Sequence, residues 1–184
     1  DLAHALERAG VRWLLPTGGN GTMNTCGEIW RACQAEGVSI DVVGIPKTMD
    51  NDLAVTDHSP GFGSAARYMA GSVAEVCCDV EGLPIHIVVI EALGRNAGWV
   101  TAAASLATDS YAHGPDLIYL PERAFDEEAF LRDVQKLIDT KGHGVVVDDL
   151  NFGHILVVGG DFRLVGGIHD GLDGEFHVLG GEEF

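Results

Sequence analysis

The chain has 184 residues, of which 46% are hydrophobic, so it is long enough for one to one and a half domains with a buried core. Its formal net charge of −17 argues against nucleic acid or an anionic membrane surface as a partner, because both would repel it. We see neither a signal peptide nor an apolar run near the roughly 20 residues of a membrane span, so we expect a cytoplasmic protein.

The cysteine pattern also favours a cytoplasmic protein. Cys26, Cys33, Cys77 and Cys78 lack the spacing with histidine that a metal site requires. The adjacent pair would face different sides of a helix. We expect all four to be reduced and to serve mostly in packing.

The first motif is a glycine turn between a strand and a helix. A helix at 2–9 with Gly10 as its C-cap is expected to precede an apolar strand at 11–16. The strand runs into TGGNGT at 17–22, and 23–34 has helical character. This succession exposes backbone N–H groups and a helix N-terminus to an anion. Taken alone the turn is a weak signal, because glycine-rich turns are common.

The second motif follows the next strand. That strand, at 39–45, completes a β-α-β unit and indicates a parallel sheet. Residues 44–52 read GIPKTMDND, in which Pro46 is expected to stop any helix and to remove a ladder donor. Four chemically reactive side chains stand within six positions: Lys47, Thr48, Asp50 and Asp52.

These side chains allow two interpretations. On an extended segment the two carboxylates would point to one side, where a cation can bridge them. A base for a hydroxyl, a ligand for Mg²⁺ and a positive charge for phosphate are the parts of a phosphoryl-transfer site. An acidic turn with a solvated lysine explains the spacing alone equally well.

Beyond the acids the strand–helix alternation continues. A polar loop at 56–63 precedes a helix at 64–80, whose positive end is expected to face the acids. A buried strand at 85–92 leads through a second glycine junction, LGRNAG at 93–98, into an alanine-rich helix at 100–108. The arginine of this junction has the fork geometry that suits phosphate.

The alternation ends near residue 147. A strand at 116–120, a helix at 125–140 with an acidic first turn, and a strand at 144–147 complete it. We therefore predict an α/β core over 1–147 and a glycine-rich, irregular tail over 148–184, in which short apolar runs indicate strands. The expected fold class is α/β, with a doubly wound, mostly parallel sheet between helices on both faces, in three layers.

Four motifs occur along the chain in the order GGNGT, GIPKTMDND, TDHSPGFGSAARY and EALGRNAGW. In this order they resemble the phosphofructokinase family, and the resemblance covers about residues 11–147. TDHSPGFGSAARY, and the lysine within GIPKTMDND, are most similar to the pyrophosphate-dependent branch and its ATP-using relatives. The resemblance implies phosphoryl transfer from ATP or pyrophosphate to the 1-hydroxyl of fructose 6-phosphate with Mg²⁺, in glycolysis. It also implies a homo-oligomer.

The resemblance also implies roles for individual residues. Asp50 would be the general base for the sugar hydroxyl, and Asp52 would support it or help to position Mg²⁺. Lys47 would contact the transferring phosphoryl group, and Thr48 would hydrogen-bond to sugar or phosphate. The donor phosphates would be wrapped by Gly19, Asn20, Gly21 and Thr22, with Asn20 and Asp52 as candidate metal ligands. The sugar would be held by Leu93, Gly94 and Arg95, together with His86.

Some positions depart from the family's pattern. Asn20 stands where many ATP-using members carry an acidic residue, and His86 where many carry an arginine from a subunit interface. Gly21 replaces the aspartate that fills the adenosine pocket in pyrophosphate-specific members, so it favours ATP, whereas Lys47 is more often seen with pyrophosphate. Residues 148–149 are aspartates where a glutamate is usual. We expect a partial chain, because the family's first glycine-rich donor loop should precede residue 1.

Two other functions stay open. One is a non-catalytic module that binds sugar phosphate or nucleotide, or a degenerate family member; Asn20, His86 and the missing glutamate favour it. The other is a diacylglycerol- or NAD-kinase-like phosphotransferase, which would share a GGDGT-type turn but would not require PKTMDND. Phosphofructokinase ranks first because all four motifs occur in order.

Overall fold

The structure is a computed structural model, and it describes residues 2–84, 87–94, 96–108, 113–149 and 156–158. The chain divides into two compact units, Asp1–Ala66 and Arg67–Phe184. Each unit has its own strands and its own apolar core. None of the helices in the described ranges has the length and apolar character that crossing a membrane requires.

The first unit is a β-α-β arrangement preceded by a short helix. Its elements are α1 (Leu2–Arg8), β1 (Trp13–Leu14), β2 (Thr17–Gly18), α2 (Asn20–Ala35), β3 (Asp41–Val42) and β4 (Ile45–Pro46). β1 pairs with β3 and β2 pairs with β4, both in parallel, which confirms the expected unit. The core joins Ala3 of α1 and Cys33 of α2 to Ile40, with Leu14 and Val42 packed against it.

Backbone hydrogen bonds connect these strands at every second residue. The N–H groups of residues 41, 43, 45 and 47 donate to the carbonyls of residues 12, 14, 16 and 18 over distances between 2.8 and 3.0 Å. Pro46 falls between two of these donors, so its missing N–H group removes no bond from this ladder. The expectation of a lost ladder donor was therefore wrong, and the pairing continues through Pro46 to Lys47.

The second unit is built on a four-stranded sheet. Its elements are α3 (Phe62–Gly82, which begins in the first unit), β5 (Ile87–Glu91), α4 (Trp99–Ala103), a 3₁₀ helix (Ala104–Ala107), β6 (Leu117–Tyr119), α5 (Glu127–Lys141), β7 (Gly144–Asp148) and β8 (Leu156–Val158). The strand order is β6-β7-β5-β8. β6, β7 and β5 are parallel, and β8 is antiparallel to β5, so the sheet is mostly parallel as predicted.

Different helices cover the two faces of this sheet. Val88 of β5 belongs to a core cluster with Val73 of α3 and Ala104 of the 3₁₀ helix. Its neighbour Val89 belongs to a separate cluster with Phe130 of α5. Because successive strand residues point to opposite faces, helices lie on both sides, and the three-layer α/β fold is confirmed.

Three local expectations need correction. α2 begins at Asn20, three residues earlier than the apolar pattern of 23–34 indicated. The helix predicted at 100–108 is α-helical only to Ala103 and continues as a 3₁₀ turn. The helix predicted at 125–140 begins at Glu127, with Asp126 as its N-cap, whose side chain accepts a hydrogen bond from the Ala129 N–H. Of the predicted tail, 150–155 and 159–184 lie outside the described residues.

Candidate active site

The glycine turn joins β2 to α2. Gly19 is the N-cap of a 16-residue helix, in an extended conformation and without any side-chain cap. The first N–H groups of a helix have no partner within it, so those at Asn20, Gly21 and Thr22 are available to a ligand. Together with the helix dipole they form a site suited to an anion.

The glycines of the turn have different surroundings. A Cβ added to Gly18 would overlap the Thr22 hydroxyl and lie 2.8 Å from its Cβ. A Cβ added to Gly21 would meet nothing within 4 Å. Gly18 therefore permits the close approach of the helix to the strand, whereas Gly21 borders open space.

The acids do not lie on an extended segment, so that expectation was wrong. Met49 and Asp50 form a turn, and Asn51 adopts a left-handed backbone conformation with a φ of 55°. The Asp50 N–H donates to Thr48 Oγ1 at 3.2 Å, which closes the turn locally. Thr48 also forms a parallel bridge with Gly61, the residue before α3, so the first turn of α3 begins beside the acid turn.

The glycine turn and the acid turn are in contact. The Lys47 N–H donates to the Gly18 carbonyl at 2.8 Å. Asn20 Nδ2 donates to Asp52 Oδ2 at 2.7 Å. A Cβ added to Gly19 would lie 3.5 Å from the Thr48 Cβ. The structure thus brings the predicted donor-binding residues and the predicted catalytic residues together within the first unit.

The charged side chains of this site are accessible to a ligand. Lys47 and Asp52 are exposed, and Asp50 is half-buried. Among the described residues, neither the Lys47 ammonium nor the Asp50 carboxylate has an ion-pair or hydrogen-bond partner. A hydroxyl group and a phosphate could therefore engage them without displacing an internal contact.

The donor atoms at the site are compatible with Mg²⁺. Asp50 and Asp52 supply carboxylate oxygens, and Asn20 supplies a carboxamide oxygen. The described residues contain no group of three or more His, Cys, Asp or Glu side chains arranged to hold a metal ion by themselves. Mg²⁺ commonly takes only one or two protein carboxylates and completes its octahedron with substrate phosphates and water. The oxygens of Asp50, Asp52 and Asn20 match this small protein contribution to a Mg²⁺ site.

The second glycine junction is a tight turn in the second unit. The Asn96 and Ala97 N–H groups both donate to the Gly94 carbonyl, at 2.7 and 3.1 Å. Gly94 is buried, and a Cβ added there would lie 2.5 Å from the Ala97 carbonyl oxygen and would overlap the Asp149 carboxylate. Leu93 is 71% exposed. The side chains of Arg95 and His86, two of the predicted sugar-binding residues, lie outside the described residues.

Sequence reasoning missed two residues that hold these turns. Glu122 accepts a 2.7 Å hydrogen bond from the Gly98 N–H and so fixes the start of α4. Asn51 is 7% exposed and hydrogen-bonds to the backbone of two later residues. Asparagine tolerates the left-handed conformation, so its place between two acids was the available signal for a turn there.

Known proteins that are similar to this chain agree with the resemblance to phosphofructokinases. The phosphofructokinase family model matches residues 1–161. A pyrophosphate–fructose 6-phosphate 1-phosphotransferase of Xanthomonas campestris is 45% identical over 149 residues, covering 79% of this chain and 36% of the relative. A sulfofructose kinase of Alkalicoccus urumqiensis is 39% identical over 148 residues, covering 79% of this chain and 38% of the relative.

A solved structure agrees in fold. The pyrophosphate-dependent phosphofructokinase of Nitrosospira multiformis superposes with a TM-score of 0.72 and 33% identity, over 87% of this chain and 40% of that one. The chain thus spans less than half the length of each of these relatives.

Proposed function

Because this chain belongs to the phosphofructokinase family, we propose that the full-length protein transfers a phosphoryl group from ATP or pyrophosphate to the 1-hydroxyl of fructose 6-phosphate. The proposed reaction would belong to glycolysis and would use Mg²⁺ as its cofactor. The observation that supports it most is the hydrogen bond between Asn20 and Asp52, which joins a helix N-terminus suited to an anion to a pair of acids. We further propose that the enzyme is a homo-oligomer of the cytoplasm.

Asp50 is the proposed general base. Its carboxylate is half-buried and has no hydrogen-bond partner among the described residues, so it can accept the proton of the sugar hydroxyl. Thr48 Oγ1 accepts a bond from the Asp50 N–H, which leaves the hydroxyl proton of Thr48 to be donated to sugar or phosphate. Removing the proton makes the sugar oxygen the nucleophile that attacks the terminal phosphorus of the donor, and the bond from that phosphorus to the rest of the donor breaks, so that ADP or phosphate leaves.

The donor phosphates are proposed to bind at the N-terminus of α2. The uncapped N–H groups there, and the exposed ammonium of Lys47, are the positive groups of this negatively charged chain that lie beside the acids. Lys47 would contact the transferring phosphoryl group. Asp52 and Asn20 would hold Mg²⁺ against the phosphates, where the ion would neutralise charge that develops during transfer.

The identity of the donor has support in both directions. An added Cβ at Gly21 would meet nothing within 4 Å, and the absence of a side chain at this position favours ATP. The relative from X. campestris, at 45% identity, is named for pyrophosphate. Both donors therefore belong to the proposal. Leu93, Gly94, Arg95 and His86 stay the proposed sugar-binding residues.

A second acceptor has a specific observation in its favour. One relative at 39% identity is a sulfofructose kinase, and it matches nearly the same share of this chain as the relative from X. campestris. A sulfonate and a phosphate are both tetrahedral anions, so a site on the same scaffold could accept either sugar. The second candidate function is phosphoryl transfer to sulfofructose.

One experiment tests these alternatives together. The full-length protein is incubated with Mg²⁺ and each combination of ATP or pyrophosphate with fructose 6-phosphate or sulfofructose, and the products are identified by phosphorus NMR. We expect fructose 1,6-bisphosphate with at least one donor. Phosphorylation of sulfofructose alone would favour the second candidate. Sugar-phosphate binding without any product would instead identify a non-catalytic module.

A further inference from the structure

Asn51 is the buried residue between the two acids. Its Oδ1 accepts a hydrogen bond from the Ser59 N–H at 2.7 Å, and its Nδ2 donates to the Asp57 carbonyl at 3.3 Å. The partners stand eight and six residues further along the chain. One side chain therefore closes the whole loop 51–59 upon itself.

The closed loop is attached to the acid turn at its other end as well. Gly61, with a φ of 104°, forms the parallel bridge with Thr48. Inside the loop, the Leu53 carbonyl accepts a 2.7 Å hydrogen bond from the Thr56 hydroxyl. The backbone between residues 48 and 61 is thus fixed at both ends and in the middle.

The backbone angles of Asn51 set the direction of Asp50 relative to Asp52. The two acids are its chain neighbours, so any rotation about its φ or ψ turns one carboxylate against the other. Asp52 is held by Asn20, whereas Asp50 has no side-chain partner among the described residues. A change at Asn51 would therefore appear mainly as a displacement of Asp50.

We propose that Asn51 is a positioning residue for phosphoryl transfer: its carboxamide, bonded to the backbone of Ser59 and Asp57, holds the left-handed turn that aims Asp50 at the acceptor hydroxyl. This role rests on the proposed function of the site. Asparagine suits it because it tolerates a positive φ and carries both a donor and an acceptor. Glycine tolerates the same φ but has no side chain to close the loop.

The test compares two glycine substitutions in the full-length protein. Asn51→Gly keeps the backbone conformation accessible and removes both hydrogen bonds. Val55→Gly is the matched control, because Val55 lies in the same loop with a φ of 63° and its side chain is fully exposed, at 105%. Both variants make the loop more flexible, but only the first removes the proposed contact.

We expect Asn51→Gly to lower kcat by about 10- to 100-fold, since a displacement of about 1 Å costs up to that factor in rate. Its KM for fructose 6-phosphate should change by less than about threefold, because uniform substrate binding is not removed. Val55→Gly should keep kcat within about twofold of the wild type. An Asn51→Gly enzyme with unchanged kcat, or an equal loss in both variants, would overturn the proposal.

Amide hydrogen exchange tests the contact without reference to activity. The Ser59 N–H should lose protection in Asn51→Gly but keep it in Asn51→Asp, which retains the acceptor oxygen. Unchanged protection in Asn51→Gly would overturn the inference even if the wild type proved inactive. If the wild type showed no phosphoryl transfer but Asn51→Gly still lost protection at Ser59, the proposed function would be rejected. The contact between Asn51 and Ser59 in the wild type would still be supported.

Discussion

The Asn20 carboxamide donates a 2.7 Å hydrogen bond to the Asp52 carboxylate, which stands 32 residues later in the chain. Asn20 is the first residue of α2, and Asp52 follows the turn that carries the proposed base. The bond therefore sets the distance between the proposed phosphate site and the acids. Both side chains are exposed, so the bond adds little to stability, and its main effect should be on the metal and the donor.

Replacing Asn20 should weaken the use of Mg²⁺. We expect Asn20→Ala to raise the Mg²⁺ concentration at half-maximal rate by about 3- to 10-fold, because the site loses a proposed ligand oxygen and Asp52 loses the group that orients it. Asn24→Ala is the control, since in the described part of the chain the Asn24 side chain bonds only to Glu28 on the same helix. Magnesium titrations of the rate that coincide for the two variants would contradict a role for the contact.

The two glycines of the donor turn should respond differently to alanine. Gly18→Ala should destabilise the protein by about 1–3 kcal/mol, because its methyl group would overlap Thr22. Gly21→Ala adds a methyl group in open space within a helix, so it should be neutral or stabilise by about 0.5–1 kcal/mol. Thermal unfolding of both variants checks this, and equal midpoints would disprove the close packing at Gly18.

Replacing Val55 should stabilise the folded protein. It is a β-branched residue with a φ of 63° and no burial, and the left-handed conformation costs an L-residue roughly 1–2 kcal/mol. Val55→Asn should raise the unfolding midpoint, because asparagine tolerates that conformation. Val55→Ala keeps the Cβ that causes the strain, so its midpoint should rise less. A lower midpoint for Val55→Asn would show that the side chain contributes a contact.

The adjacent cysteines should differ in reactivity. Burial raises the pKa of the Cys77 thiol to about 11, and the nearby Asp116 carboxylate contributes to the same rise. Only the thiolate reacts, so at pH 8 about one Cys77 in a thousand is reactive, and the fraction grows as the pH approaches 11. Iodoacetamide at pH 8 should therefore label the exposed Cys78 and spare Cys77. Mass spectrometry of a tryptic digest checks the order, and Cys78→Ser should abolish labelling of the pair.

The sequence predicts the parts of this protein that depend on local pattern. The continuous apolar runs of β5 and β7 indicate a sheet buried on both faces, because each face must meet a helix. The junction before α2 is visible as a glycine cluster, although the helix begins at Asn20, where no apolar period marks it.

The conformation of the acid turn is not predictable in the same way. Two acids at i and i+2 suggest an extended segment, whereas the left-handed turn at Asn51 is stabilised by contacts with Asp57 and Ser59. Such contacts depend on how a later loop folds back, and spacing within the motif contains no information about it. The motif therefore supplies the candidate reactive residues, but their relative orientation required the structure.

The most direct test concerns Asp50 in the full-length protein. Asp50→Asn keeps the shape of the side chain but cannot accept the proton of the sugar hydroxyl. Asp57→Ala is a control in the same loop, because within the described ranges Asp57 bonds through its backbone carbonyl and not through its side chain. We expect Asp50→Asn to lower kcat by about 10²- to 10⁴-fold, with fructose 6-phosphate affinity by calorimetry within about threefold of the wild type. Near-normal kcat in Asp50→Asn would contradict the assignment of Asp50 as the base and the enzymatic account built on it.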